Sequence, residues 1–171
     1  TLFCNARIGD GTGTPWFWGS LGVQDGFVAA VLPRTTEPLS RHTIVLEGGI
    51  LCPGFVDGHS HSERPLLSDE PTDCKTMQGV ATEKLGLDGM PPPYATYPHI
   101  LGKCARELGV LSQEEAIRKM ASLTGRKIRL AHKGVTLSGF DADLVAFNER
   151  TVLDTNGCDN PRVHPVGMPH V

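Results

Sequence analysis

Ile50-Leu51-Cys52-Pro53-Gly54-Phe55-Val56-Asp57-Gly58-His59-Ser60-His61 is the stretch on which the reading of this chain turns. It begins as a mostly apolar run with the character of a buried strand and stops abruptly at two histidines one residue apart. Side chains alternate along a strand, so His59 and His61 project to the same side at its end. Two imidazoles placed this way offer two neutral nitrogens to a divalent ion, with zinc the expected one. The competing reading is a pair of solvated histidines after a strand. Asp57, just before them, is expected either to orient one imidazole by accepting its second N–H or to cap a turn.

On the N-terminal side the chain reads as a small antiparallel sheet. Strand-like runs cover residues 3–8, 21–24, 27–31 and 43–46, with a turn over 9–15 and Gly48-Gly49 closing the last run. Asp25-Gly26 between two β-prone runs is a hairpin signal, because glycine takes the positive φ that such a turn demands. On the C-terminal side, residues 74–79 suggest a helical turn and 80–85 a second strand, the start of a βαβ unit. Asp88, flanked by Gly86-Leu87 and Gly89, is read two ways: a turn residue or a metal ligand.

Met90-Pro91-Pro92-Pro93-Tyr94 breaks the chain, since consecutive prolines fit neither a helix interior nor a central strand. Beyond it, residues 100–108 read as a helix. Ser112 and Glu115 form a capping box ahead of an apolar stripe of Ala116, Ile117, Met120 and Leu123, which predicts a second helix. Residues 134–139 and 142–147 return to β character, and 151–171 reads as a loop-rich tail.

Composition bounds the function. With 171 residues, 39% hydrophobic, the chain can bury about one domain's core. Its formal charge of -3 and pI near 6.1 leave no basic excess, which excludes nucleic acid and anionic membrane surfaces as expected partners. No apolar run approaches a bilayer span and no leader pattern opens the chain, so a cytoplasmic protein is expected. The five cysteines, Cys4, Cys52, Cys74, Cys104 and Cys158, form no CxxC pair and are read as apolar filler without disulfides.

Residues 53–61 closely resemble the signature that ends the first barrel strand of metal-dependent amidohydrolases. Asn5-Ala-Arg-Ile-Gly-Asp-Gly-Thr-Gly-Thr-Pro15 and Val23-Gln-Asp-Gly-Phe-Val-Ala-Ala-Val31 resemble the opening strand and hairpin of one branch, the N-acyl-D-amino-acid deacylases or D-aminoacylases. Gln78-Gly-Val-Ala-Thr82 through Gly86-Leu-Asp-Gly89 resembles that branch's second barrel strand. Tyr94-Ala-Thr-Tyr-Pro-His-Ile-Leu-Gly-Lys-Cys-Ala-Arg-Glu107 resembles a later segment, with His99 where the family carries arginine. Gly139 to Val145 matches the pattern of the returning sandwich strand, and Asp143 within it is expected to be structural. Arg106 and Glu107 are read as an exposed charged face, and His132, His164 and His170 as solvated loop histidines.

The resemblance implies an α/β chain: a composite β-sandwich built from both termini plus an incomplete (β/α) barrel remnant. Residues 1–52 form the N-terminal arm, 53–125 the remnant with its junction near 90–94, and 126–171 the C-terminal arm and tail. It also implies zinc, one or two ions in the family, held here by His59, His61 and Asp88, with Asp57 supporting them. The implied reaction is hydrolysis of the amide bond of a small N-acyl-D-amino acid by a metal-activated water. The family's histidines from the middle strands and its aspartate base from the last strand have no counterpart. Roughly 70 residues remain for the barrel, room for two or three βα units of about 30 residues, whereas a closed barrel takes about 250. Activity is therefore expected to be impaired or lost. The alternative is a non-catalytic sandwich remnant that acts through partner binding or as a homo-oligomer.

Overall fold

The computed structural model describes residues 1–36, 38–58, 60, 73–84, 95–155 and 163–169. In chain order the elements are β1 (Leu2–Ile8), β2 (Phe17–Gln24), β3 (Phe27–Pro33), β4 (Thr43–Val45), β5 (Ile50–Pro53), β6 (Phe55–Asp57), α1 (Asp73–Thr76) and β7 (Val80–Glu83). A first long helix follows as α2 (Thr96–His99) and the π-wound α3 (Ile100–Glu107). A second is made of α4 (Gln113–Arg118), the π-wound α5 (Lys119–Leu123) and α6 (Thr124–Lys127), and β8 (Leu144–Phe147) comes last.

Six strands form one sheet in the order β3-β2-β1-β5-β8, with β4 also on β1. The Asp-Gly hairpin forms as expected: Asp25 and Gly26 take φ of 53° and 83° between antiparallel β2 and β3. β1 pairs in parallel with β4 through Leu2–Cys4 and then with β5 through Arg7 and Ile8. Asn5, at φ 52°, sits where β1 passes from one partner to the other, and the β1–β2 register shifts across the same residues. β2 begins at Phe17, earlier than the run at 21–24 suggests, because Phe17, Trp18 and Gly19 pair with Ile8, Arg7 and Ala6.

The C-terminal arm completes the sheet. β8 lies antiparallel on β5, with Ile50 opposite Phe147 and Cys52 opposite Val145. Its lead-in reaches the opposite edge: Phe27 bridges Asp141, Val28 N–H donates to Phe140 O (2.9 Å) and Ala142 N–H to Gly26 O (2.8 Å). The sheet thus doubles over, with residues 139–147 touching both of its edges. The alternation of side chains splits these strands between two cores. Leu51 and Ala146 join Ala6, Ile8, Leu21 and Val28 inside the folded sheet. Ile50, Cys52, Val145 and Phe147 face the other way, against Leu101, Ala116, Ile117 and Met120 of the two long helices.

The predicted cap on the second helix is present, with Glu115 N–H donating to Ser112 Oγ at 3.1 Å. The reciprocal half of the box is not, because the Glu115 carboxylate takes two bonds from Arg118 (2.6 and 2.7 Å). Residues 134–139 are not a strand. Gly134 and Gly139 adopt φ of 79° and 85°, and Thr136 N–H donates to Asp10 O (3.0 Å), so the segment docks on the 9–15 turn instead of pairing in a ladder. Arg106, expected to be exposed, is part-buried and donates to Glu149 O (2.9 Å) and Val152 O (2.6 Å). A Cβ on Gly102 would lie 2.4 Å from Val152 O, so only glycine lets that loop close onto the helix. Cys52 is buried and Cys4 and Cys104 are half-buried, all three as free thiols.

Phe147 is 1% exposed in the core that joins the C-terminal arm to both long helices. Phe147→Ala is expected to cost about 3–5 kcal/mol of unfolding free energy in urea titration, the range for deleting a buried phenylalanine.

Candidate functional site

β6 and β7 form a separate parallel pair, with α1 between them in sequence and Asp57 opposite Glu83 at their carboxyl ends. The two carboxylates share a face, since residues paired across a ladder point the same way. Phe55, two residues before Asp57, lies on that face too and stacks on Tyr97 of α2, ring centroids 5.3 Å apart and planes 13° from parallel. The sequence makes this pair from Phe55-Val-Asp and Val80-Ala-Thr-Glu: a short apolar entry, buried at Phe55, Val56 and Val80, then a polar exit.

The polar exit is held by a buried cation. Lys75 of α1 is 3% exposed and its ammonium donates to Asp57 Oδ2. Ser60 Oγ–H donates to Glu83 Oε2, and the backbone ladder continues past the strand ends through Lys84 N–H to Asp57 O (2.8 Å) and Ser60 N–H to Lys84 O (3.0 Å). Burial raises the Tyr97 phenol well above its ordinary value, and the negative charges of Asp57 and Glu83 add to the shift. Burial likewise raises the Cys52 thiol. Among the described residues the cluster is therefore two carboxylates, one ammonium, one hydroxyl and one neutral phenol around the ends of two parallel strands.

His59, His61 and Asp88 lie outside the described residues. Asp57 is described, and its contact with Lys75 was not legible: a buried lysine is rare without a partner, and nothing local in Asp73-Cys-Lys-Thr76 marks it. Glu83 and Tyr97 were likewise unread as site residues; the register with Asp57 and the stack on Phe55 exist only in the fold. His99 is exposed, with Nδ1 3.2 Å from Asp154 Oδ2. Exposed His132 lies edge-on to Phe140, and His164 is exposed. Asp143 accepts from Lys133 and, at 3.4 Å, from Thr82 Oγ1, and its backbone O accepts from Gly54 N–H (2.7 Å). It ties the six-stranded sheet to the parallel pair. Among the described residues no three His, Cys, Asp or Glu side chains converge as a metal-binding group, and no helix is long and apolar enough to cross a membrane.

Asp57 keeps only 13% of its side-chain surface and Lys75 only 3%, so the ammonium has little contact with water beside its carboxylate partner. Lys75→Met is expected to destabilise the fold by about 3–5 kcal/mol, the cost of stranding a buried charge. Asp57→Asn should also be destabilising, because it leaves the Lys75 ammonium buried, and the double variant should lose less than the sum of the two single losses, measured by urea unfolding of the four proteins. A second expectation concerns alkali. An unfolded tyrosine ionises near about 10, while folded Tyr97 resists ionisation. Its contribution is complete below that pH and is lost as pH rises above it. Tyr97→Phe should flatten the loss of stability above about pH 10, measured by unfolding across a pH series.

No protein-family model matches the chain. The D-aminoacylase of Alcaligenes xylosoxydans xylosoxydans is 34% identical to it over 110 residues, 60% of this chain and 22% of that enzyme. The N-acyl-D-glutamate deacylase of the same organism is 34% identical over 94 residues, 54% of this chain and 19% of that enzyme. The chain thus matches about a fifth of the length of these curated relatives. Among solved structures, the N-acyl-D-glutamate deacylase from Bordetella bronchiseptica, crystallised with zinc and a phosphonate inhibitor, superposes with a TM-score of 0.88 at 13% identity, covering 98% of this chain and 94% of that one. A D-aminoacylase crystal structure superposes at 0.85 with the same identity and coverage. The sequence match over three-fifths of the chain and the fold match over nearly all of it agree: the chain is similar in sequence to D-aminoacylases and has their fold.

Proposed function

We propose that this chain is a remnant amidohydrolase that retains a divalent-metal half-site at the carboxyl ends of β6 and β7 and does not turn over N-acyl-D-amino acids by itself. The observation that carries the reading is the parallel β6–α1–β7 unit, with Asp57 beside Glu83 at its carboxyl end. In barrels of parallel strands, sites are built at that end. β6 stops two residues before His59, and the imidazoles of His59 and His61 with the carboxylate of Asp88 are a donor set suited to zinc. Glu83, the carboxylate beside the neutralised Asp57, adds negative charge that favours a cation there.

His59, His61 and Asp88 are the residues that would hold zinc. Bound there, zinc would polarise a substrate carbonyl and lower the pKa of a coordinated water. Asp57 does not serve as a ligand in this reading, because Lys75 already neutralises it; the ion pair fixes the end of β6 and thereby the start of the histidine segment. Tyr97, kept neutral, can donate its phenolic proton but cannot act as a base near pH 7. Of the two described carboxylates, Asp57 is engaged by Lys75 and Glu83 already accepts from Ser60 Oγ, so neither is set apart as a general base in this reading.

Turnover needs more than ligands. Among the described residues only β6 and β7 are parallel partners of the barrel type, and the next elements are the two long helices and β8, which belongs to the other sheet. With no surrounding strands, neither water nor substrate is oriented, and orientation supplies a large part of such rate enhancement. The matches to relatives support a chain composed of the two end regions of such an enzyme: a fifth of their length by sequence, yet nearly end to end by fold. In this reading residues 1–52 and 126–171 are the arms of the sheet and 53–125 the shortened barrel portion.

Chelator-washed protein reloaded with zinc should retain close to one equivalent by elemental analysis, and His59→Ala should retain none. Hydrolysis of N-acetyl-D-methionine by the loaded protein should not exceed that of buffer with zinc. Rapid hydrolysis that disappears in His59→Ala would refute the loss of catalysis, and absence of bound zinc would refute the half-site.

A further inference from the structure

The chain's two tryptophans, Trp16 and Trp18, line a single cleft of about 570 Å³ together with Arg7, Glu47, Asn148 and Arg150. It opens at the start of β5, where Gly48 and Gly49 form part of its wall, whereas Asp57 lies at the end of β6. None of the residues lining the cleft belongs to that cluster. The cleft is thus distinct from the Asp57 cluster.

Its walls are fixed before any ligand arrives. The Trp16 and Trp18 rings meet edge to face with centroids 6.0 Å apart. The Arg7 guanidinium lies 5.2 Å from the Trp16 ring centre, and Arg34, from outside the cleft, lies 4.6 Å from that of Trp18. A Cβ at Gly48 would come within 3.2 Å of Trp18 Cη2, so the ring edge rests on the turn itself. Arg7 is also anchored, donating to Gly48 O (2.8 Å) and to Glu149 Oε2 (2.7 Å). Rigid aromatic walls lose little conformational entropy on binding.

The charges are not used in the same way. Arg7 is neutralised by Glu149, and Glu47 is an exposed carboxylate at the rim. Arg150 is exposed, and its guanidinium has no hydrogen-bond or ion-pair partner among the described residues. The Asn148 side-chain oxygen accepts from Arg150 N–H at 3.0 Å, which holds the arginine's backbone against the cleft and leaves the Asn148 amide N–H groups to donate. An unpaired planar fork of donors beside apolar aromatic walls suits a carboxylate attached to a flat apolar body.

We propose that this cleft binds a small aromatic carboxylate, its carboxylate on Arg150 and its ring against Trp16 and Trp18. The site is independent of the metal half-site. Because no other tryptophan exists in the chain, intrinsic tryptophan fluorescence reads the cleft alone. Titration with phenylacetate should give a saturable change in emission, and uncharged phenylethanol should give only a linear one. Arg150→Gln, at an exposed position, should keep the folded circular dichroism spectrum and weaken phenylacetate binding about tenfold, the equivalent of about 1.4 kcal/mol. His59→Ala should leave it unchanged. A linear response to phenylacetate, or equal saturation by phenylethanol, or full affinity in folded Arg150→Gln would overturn the proposal.

Discussion

The antiparallel pairing of β5 with β8 is the interaction on which the rest of the structure rests. Four residues from each strand meet, and through them the two ends of the chain share one sheet. The pairing serves two cores at once because the strands alternate: Leu51 and Ala146 close the inside of the folded sheet, while Ile50, Cys52, Val145 and Phe147 make the floor for the helices. Without β8, the helix-facing core would lose its largest aromatic side chain but one of comparable burial, Phe55, and β5 would become an open edge.

This arrangement explains how the two ends of the chain fold as one unit. The sheet depends on residues near both termini, and the helices over 96–107 and 113–127 cover its outer face directly. The parallel pair β6–β7 then hangs from the sheet by two short links: Gly54 N–H to Asp143 O, and the Lys133–Asp143–Thr82 contacts. Its apolar residues Phe55 and Val80 belong to the same core as Phe147 and Met120. At its far end Lys75 bonds Asp57 and Ser60 bonds Glu83.

Much of the fold was legible where the pattern was local. The Asp25-Gly26 turn, the cap at Ser112 and the stripe at 116–120 are all short-range signals, and all formed; the apolar run at 50–57 is extended and buried as expected but breaks at Gly54 into two strands of different sheets. The resemblance carried the two-ended sheet, which periodicity alone does not reveal. What failed was set by distant partners. Val135-Thr-Leu has β-prone residues, but Thr136 gives its N–H to Asp10, and flanking glycines turn the backbone away. Arg106 has the look of a surface residue, and two carbonyls of a later loop bury it. In the candidate site Asp57 was identified at a strand end, but its partner Lys75 is 18 positions away with no periodic mark. Pro15-Trp16-Phe17-Trp18 was the one unread local signal, an aromatic cluster in a chain with few aromatic residues.

The account makes the closure of the sheet by β8 inseparable from global folding. Native-state hydrogen exchange tests this most directly, because local and global openings separate by their free energies. The amides of β5 and β8 should exchange together, at the free energy of complete unfolding. Exchange of the β8 amides at a markedly lower free energy than those of β5 would show that the C-terminal arm opens on its own, and would contradict the account.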